Sequence, residues 1–350
     1  MKHLTNILII LIINIFALSG CAADNTSPSA LDTDSTVTEP SIVTAATDEK
    51  DGENEPESQA AAEQTTTTTA ETEVSGTEGA YMEKCKDKMV EMPPEEILSE
   101  REGVAYPSFE KYTYYSRTAE RDTPVNVLLP ADYAEDKKYP VLYILHGYYD
   151  NEDWMARDIV HISTMLTNLV ADGEAHEMIV VCPYIYCSKD MPYCTGMDTQ
   201  NTINYDNFIN DMMTDLMPFI EENFSVAEGR ENTAITGFSM GGRESLFIGV
   251  SHPEKFGYIG AVCAAPGLTE GTGYPWMLEE SQLTFGENKP ELLLISAAEH
   301  DGVVGSNPAK YKKIFSQNGE VYLWHLMSRT GHDHSSVTPH LYNYFRMIFQ

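Results

Sequence analysis

Apolar residues fall along this chain in three regimes. Ile7 to Leu18 is almost wholly apolar, Ala22 to Ala80 has no aromatic residue and no periodic apolar pattern, and Tyr81 to Gln350 alternates short apolar runs with amphipathic stretches. Only the third regime reads as a packed core. Within it, Val125 to Leu129, Val141 to Leu145, Met178 to Cys182, Thr233 to Ile235, Gly257 to Cys263, Leu292 to Ser296 and Val321 to Met327 are predicted strands. The unbroken apolar run at Val141 to Leu145 is that of a strand covered on both faces. Phe208, Met212, Leu216, Phe219 and Ile220 follow helical spacing, which predicts a helix over Asn207 to Asn223. Arg243 to Val250 and Ser336 to Gln350 are predicted helices, and Pro130 to Lys138 is a turn region. Strands alternating with helices make βαβ units, hence an α/β fold with a mostly parallel central sheet flanked by helices. Functional loops then gather at the carboxyl ends of the strands. Tyr81 to Pro107 fits no element clearly and is read as an extension packed on the domain.

Composition changes the picture at the amino terminus. Lys2 and His3 precede the apolar run, which is short for a membrane span and has the length of a signal-peptide core. It ends at Leu18-Ser19-Gly20-Cys21, which is similar to the bacterial lipobox. The expectation is a lipoprotein signal peptide over residues 1–20 and lipidation of Cys21. That places the protein outside the cytoplasm, on the membrane through its lipid anchor only. Each buried methylene of an acyl chain contributes about 0.8 kcal/mol to such anchoring. Residues 22–80 carry 14 acids against one base, Lys50. So little apolar surface cannot offset chain entropy, so residues 21–80 are expected to be a disordered acidic Thr/Glu-rich linker. Residues 81–350 hold all three tryptophans and all twenty tyrosines, the content of one large domain. They remain acidic, 40 acids to 20 bases, which excludes a nucleic-acid partner because phosphate binding needs a basic surface. Of the six cysteines, Cys182 and Cys263 lie in apolar runs and read as small buried hydrophobes, while Cys187 and Cys194 flank a loop and can form a disulfide in an oxidising compartment.

The chemistry starts at Gly237-Phe238-Ser239-Met240-Gly241. In Gly-x-Ser-x-Gly a strand turns abruptly into a helix with the serine at the apex, and side chains two residues either side would clash. Ser239 is the candidate nucleophile, and the backbone N–H of Met240 a candidate oxyanion donor. The strand Val141 to Leu145 runs into His146-Gly147, and in the α/β-hydrolase fold the loop after that strand supplies the second N–H; Tyr148 is the candidate. His146 reads as ordering this loop. A serine hydroxyl needs a base, and the base an orienting acid. After the strand Leu292 to Ser296 comes Glu299-His300-Asp301. Asp301 is the chosen acid and Glu299 its competitor. After Val321 to Met327 comes Gly331-His332-Asp333-His334. His332 is the chosen base and His334 the runner-up, while His325 and His340 read as structural. The His332, Asp333 and His334 cluster has no matching upstream ligands, so no metal and no cofactor is expected.

Tyr139 to Gly147, Gly237 to Gly242, His252 to Gly257 and Gly331-His332-Asp333 together resemble the esterase D-like, carbohydrate esterase family 1 group, which includes feruloyl and acetylxylan esterases. The resemblance runs from about Asn126 to the carboxyl terminus. It implies the α/β-hydrolase fold, catalytic roles at Ser239, Asp301 and His332, and hydrolysis of feruloyl or acetyl esters on plant cell-wall polysaccharide such as xylan. The substrate expected is therefore a polysaccharide or oligosaccharide ester. A siderophore esterase or an acyltransferase of the same fold is the alternative. Tyr149, Trp154, Tyr184 and Trp276 are candidates for lining a sugar or phenolic site.

Overall fold

The computed structural model describes residues 77–269 and 277–350. The predicted signal peptide, Cys21, residues 21–76 of the predicted linker and Trp276 lie outside the described residues. In chain order the main elements are α1 (Thr77–Lys88), β1 (Glu110–Ser116), β2 (Arg121–Leu128), β3 (Val141–Leu145), α2 (Glu152–Met155), α3 (Ile162–Ala171), β4 (Ile179–Pro183), α4 (Thr199–Asp206), α5 (Phe208–Asp211), a π turn (Met212–Leu216), α6 (Met217–Asn223), β5 (Thr233–Gly237), α7 (Met240–Ser251), β6 (Tyr258–Val262), β7 (Leu292–Ala298), α8 (Asn307–Gln317), β8 (Leu323–Met327) and α9 (His334–Met347). The strands form one sheet in the order β1-β2-β4-β3-β5-β6-β7-β8. The β1–β2 and β2–β4 pairs are antiparallel and all the others parallel. This is an α/β-hydrolase-type architecture.

Helices cover both faces, which is why β3, β4, β5, β6 and β7 are buried at every position. On one face Tyr143, Ile235, Ile259 and Ile295 pack against Phe208, Met212, Leu216 and Ile220 of the segmented helix and against Phe315 of α8. On the other, Leu142, Ile144, Ala234 and Leu294 pack against Met165 and Leu169 of α3 and Leu341 and Phe345 of α9. The register Leu145↔Gly237 and Ala298↔Met327 brings the carboxyl ends of neighbouring strands level, so the loops that follow share one rim of the sheet. No helix among the described residues is long and apolar enough to cross a membrane.

Several elements depart from the prediction, among them the helices α3 and α8, which the sequence reading does not include. The predicted helix over Asn207 to Asn223 opens into a π turn at Met212–Leu216. Pro218 has no N–H to give the carbonyl of Thr214, four residues back. The guanidinium of Arg117, in the β1–β2 turn, donates to that carbonyl instead. The edge strand β1 was not among the predicted strands.

Residues 81–107, read as an extension, pack on the domain, whereas 77–80, assigned to the disordered linker, form the first turn of α1. Tyr81 OH donates to Met347 O at 2.5 Å, and Asn343 exchanges hydrogen bonds with the backbone of Val90 at 2.9 and 2.7 Å. Further along, the fully buried Asn168 of α3 donates through Nδ2 to Ile97 O and Ser99 O, both at 2.9 Å, and accepts from Tyr106 OH at 2.7 Å. Asn168→Ala strands two carbonyls and a hydroxyl, so the urea midpoint should fall by the equivalent of about 1–3 kcal/mol with an unchanged slope. A midpoint equal to wild type would show that the segment is not docked through this residue.

Candidate active site

The turn after β5 sets the geometry. Ser239 has φ 56° and ψ −113°, a left-handed region where a side chain is strained. Its N–H donates to Val262 O at 3.0 Å, and its carbonyl accepts from Ala265 N at 2.9 Å and Arg243 N at 3.0 Å. A Cβ at Gly241 would run into the carbonyl oxygens of Leu145 and His146, and one at Gly237 into the backbone of Gly241. Glycine is therefore required on both sides of Phe238-Ser239-Met240. The first turn of α7 leaves the Met240 N–H without an intrahelical partner.

Three of the side chains singled out in the sequence meet here. His332 Nε2 lies 2.9 Å from Ser239 Oγ, and His332 Nδ1 lies 2.8 Å from Asp301 Oδ2. The other Asp301 oxygen accepts from Val303 N and Val304 N, both at 2.9 Å. Burial alone would raise the Asp301 carboxyl, but the hydrogen bond from His332 and those from Val304 and Val303 hold it below its usual value. Glu299 instead accepts the Arg329 N–H at 3.1 Å, and His334 opens α9. Asp333 caps that helix by accepting Ser335 N–H at 2.8 Å. Beneath the triad the buried Cys263 brings its sulfur within 4.8 Å of the Asp301 and His332 donor atoms.

The loop after β3 is ordered as expected of His146. Its Nδ1 donates to Gly147 O at 2.8 Å and its Nε2 accepts Ile185 N–H at 3.1 Å, a neutral tautomer fixed from both ends. Burial pushes this imidazole down to about 4. Tyr205, which the sequence did not single out, holds the next residue: its hydroxyl accepts Tyr149 N–H at 3.0 Å while its ring packs on Tyr148 with centroids 4.7 Å apart. The Tyr148 N–H has no hydrogen-bond partner among the described residues.

The candidate lining residues divide. Tyr149, which is exposed, and Tyr184, half-buried, share a cleft of about 460 Å³ with Tyr186, Tyr193, Asp150, Glu152 and Arg121. Trp154 is stacked on Phe238 at 5.3 Å and 8°, and Phe238 in turn packs on the His332 ring at 4.6 Å. Trp154 thus backs the triad. The sulfurs of Cys187 and Cys194 are free thiols here, the first against Ser116 Oγ and the second donating to Gly196 O. Two structural histidines read from the sequence join a buried chain. Thr236 Oγ1 and His340 Nε2 are 2.7 Å apart, His340 Nδ1 and Ser296 Oγ 2.7 Å, Ser296 Oγ and His325 Nδ1 3.5 Å, and His325 Nε2 donates to Glu91 O at 3.0 Å.

Residues 116–320 match the model of the esterase family. This chain belongs to that family. A CE1 ferulic acid esterase of Anaeromyces mucronatus, solved with ferulic acid, is 37% identical, with a TM-score of 0.71 over 75% of this chain and 97% of the other. An endo-1,4-beta-xylanase/feruloyl esterase of Xylanibacter ruminicola is 28% identical over 199 residues, 54% of this chain and 26% of that protein. The chain thus spans about a quarter of that relative. A feruloyl esterase module from Clostridium thermocellum, solved with sinapinate, shares the fold at 18% identity and a TM-score of 0.58, over 75% of this esterase and 94% of the module. The matched family segment ends before His332.

Asp150 is a second carboxyl at this rim, unmarked in the sequence. Its Oδ2 would stand 2.9 Å from a Cβ on Gly147. Burial raises it from the usual 3.8 to about 6, against the opposing pull of Arg157 and His332. The fold therefore favours the neutral form more than the unfolded chain does, and ionisation opposes folding. That cost is absent below pH 3.8, grows up to about 6 and is constant above. Asp150→Asn should melt higher than wild type at about pH 8 and no differently below about pH 4. A gap that is constant with pH would show that this carboxyl is not the one titrating.

Proposed function

We propose that this esterase hydrolyses feruloyl or acetyl esters carried by plant cell-wall polysaccharide such as xylan, as a lipid-anchored enzyme outside a bacterial cell. The observation that carries the reading is the unbroken Ser239–His332–Asp301 hydrogen-bonded chain, in a protein 37% identical to a ferulic acid esterase. In the proposed reaction His332 Nε2 takes the Ser239 hydroxyl proton as Oγ bonds to the ester carbonyl carbon. The carbonyl electron pair moves onto oxygen, where the Met240 and Tyr148 N–H groups receive it. Asp301 accepts from Nδ1–H and stabilises the imidazolium. When the tetrahedral intermediate collapses, the sugar oxygen leaves with the proton from Nε2 and the acyl group stays on Oγ. Water, deprotonated by the same nitrogen, then attacks the acyl carbon, releasing the carboxylic acid and restoring Ser239.

Ser239→Ala should lower kcat on methyl ferulate by at least about 10⁴-fold with the fold retained by circular dichroism. Wild-type turnover in that variant would remove the serine mechanism. Failure of the wild-type enzyme on methyl ferulate together with acetylated xylan would remove the substrate.

The anchor is supported by Leu18-Ser19-Gly20-Cys21 after the apolar run. Cells labelled with an alkynyl fatty acid should show the label on wild type and none on Cys21→Ala, with the variant shifting from the membrane to the soluble fraction. Equal labelling of both would exclude Cys21 as the attachment point.

A further inference from the structure

We propose that Glu91, in the amino-terminal segment, is a positioning residue for the His332 loop, holding the end of β8 so that the imidazole points at Ser239. The proposal rests on the reading of Ser239 and His332 as nucleophile and base.

Among the described residues β8 is an edge strand, paired only with β7. The connection from Ser328 to Asp333 carries His332 and forms neither strand nor helix. Arg329 within it has φ 58° with no glycine to relieve the strain. Such a turn persists only if its surroundings fix it. Two carboxylates do so at consecutive backbone N–H groups. Glu299, two residues before Asp301, takes Arg329 N–H at 3.1 Å. Glu91 takes Ser328 N–H at 2.9 Å and the Ser328 hydroxyl as well. These bonds hold the Glu91 carboxyl below its usual value.

Glu91 is not a loose surface side chain, because the backbone on its amino-terminal side is fastened to α9. Val90 and Asn343 bond in both directions, and Arg346 Nη1 donates to Lys88 O at 2.8 Å. The Glu91 carbonyl also ends the buried chain. Because it can only accept, His325 carries its proton on Nε2 and leaves Nδ1 to accept from Ser296. Ser296 then accepts from His340 Nδ1–H, and His340 Nε2 accepts from Thr236, next to Gly237 of the elbow. One residue from outside the matched family segment thus reaches both the loop of the base and the strand of the nucleophile.

The exposed carboxylate contributes little to stability, so the effect should appear in rate. Two readouts apply: steady-state kinetics on a neutral aryl ester, and the rate of inactivation by a fluorophosphonate, which reports Ser239 reactivity whatever the natural substrate. Glu91→Ala should lower kcat and the inactivation rate about tenfold at unchanged KM, short of the about 10²-fold that a 1 Å misplacement can cost. Glu91→Gln keeps an acceptor oxygen and should recover most of the rate. Ser328→Ala should lose part of it, and the two alanine changes should be less than additive. Wild-type kcat in Glu91→Ala, a loss seen only in melting temperature, an equal loss in Glu91→Gln or full additivity would each overturn the proposal. A Ser239→Ala enzyme that stayed active would instead remove the triad reading beneath it.

Discussion

The backbone of Ser239 occupies a conformation that costs about 1–3 kcal/mol and persists only where packing imposes it. Here the packing is tight enough that a Cβ on Gly241 would run into Leu145 O and His146 O. That close approach sets the first turn of α7 against the end of β3. The same carbonyls begin the loop that presents the Tyr148 N–H. The positions of the proposed nucleophile and of the proposed second oxyanion donor are therefore one packing solution. The hydrogen bond from Ser239 N to Val262 O extends that solution to β6.

Around this point the site is organised by acceptors that are already filled. Asp301 receives three N–H groups, one from His332 and two from the turn that follows it, so its charge stays in place and the imidazole has one orientation. Phe238 packs on the imidazole and Trp154 stacks on the Phe238 ring. The proposed proton transfer from Ser239 then needs little rearrangement, the condition under which fixed dipoles contribute most to rate.

Much of this was legible because the decisive signals are local. Gly-x-Ser-x-Gly reports a steric requirement within five residues, and the buried strands announce themselves as apolar runs because both faces are covered. His332 could be chosen over His334 since Gly331 frees its loop at a suitable distance from a strand end, and Asp301, beyond another strand end like its competitor Glu299, agreed with the family resemblance. What escaped depends on distant partners. β1 hides because Tyr115 points outward while Tyr114 points inward, which blurs its alternation. The π turn follows from Pro218 and from Arg117, far away in sequence. Tyr205 sits in a polar Asn-rich stretch whose pattern says nothing of the loop it holds. α3 keeps helical spacing at Ile162, Met165, Leu166 and Leu169, but short apolar runs leave helix and strand hard to separate.

Among the described residues the sheet has two open borders, protected by different means. β1 presents Glu110, Lys111 and Thr113 to solvent, charged and polar groups that discourage another strand from adding there. Along β8 the protection is a neighbour: the segment through Glu91 lies against His325 and Ser328. A molecule clipped between this segment and β1 would bare a row of unpaired amides beside its own reaction centre. Such a species would be prone to self-association as well as slow, which ties colloidal behaviour and turnover to one stretch of polypeptide.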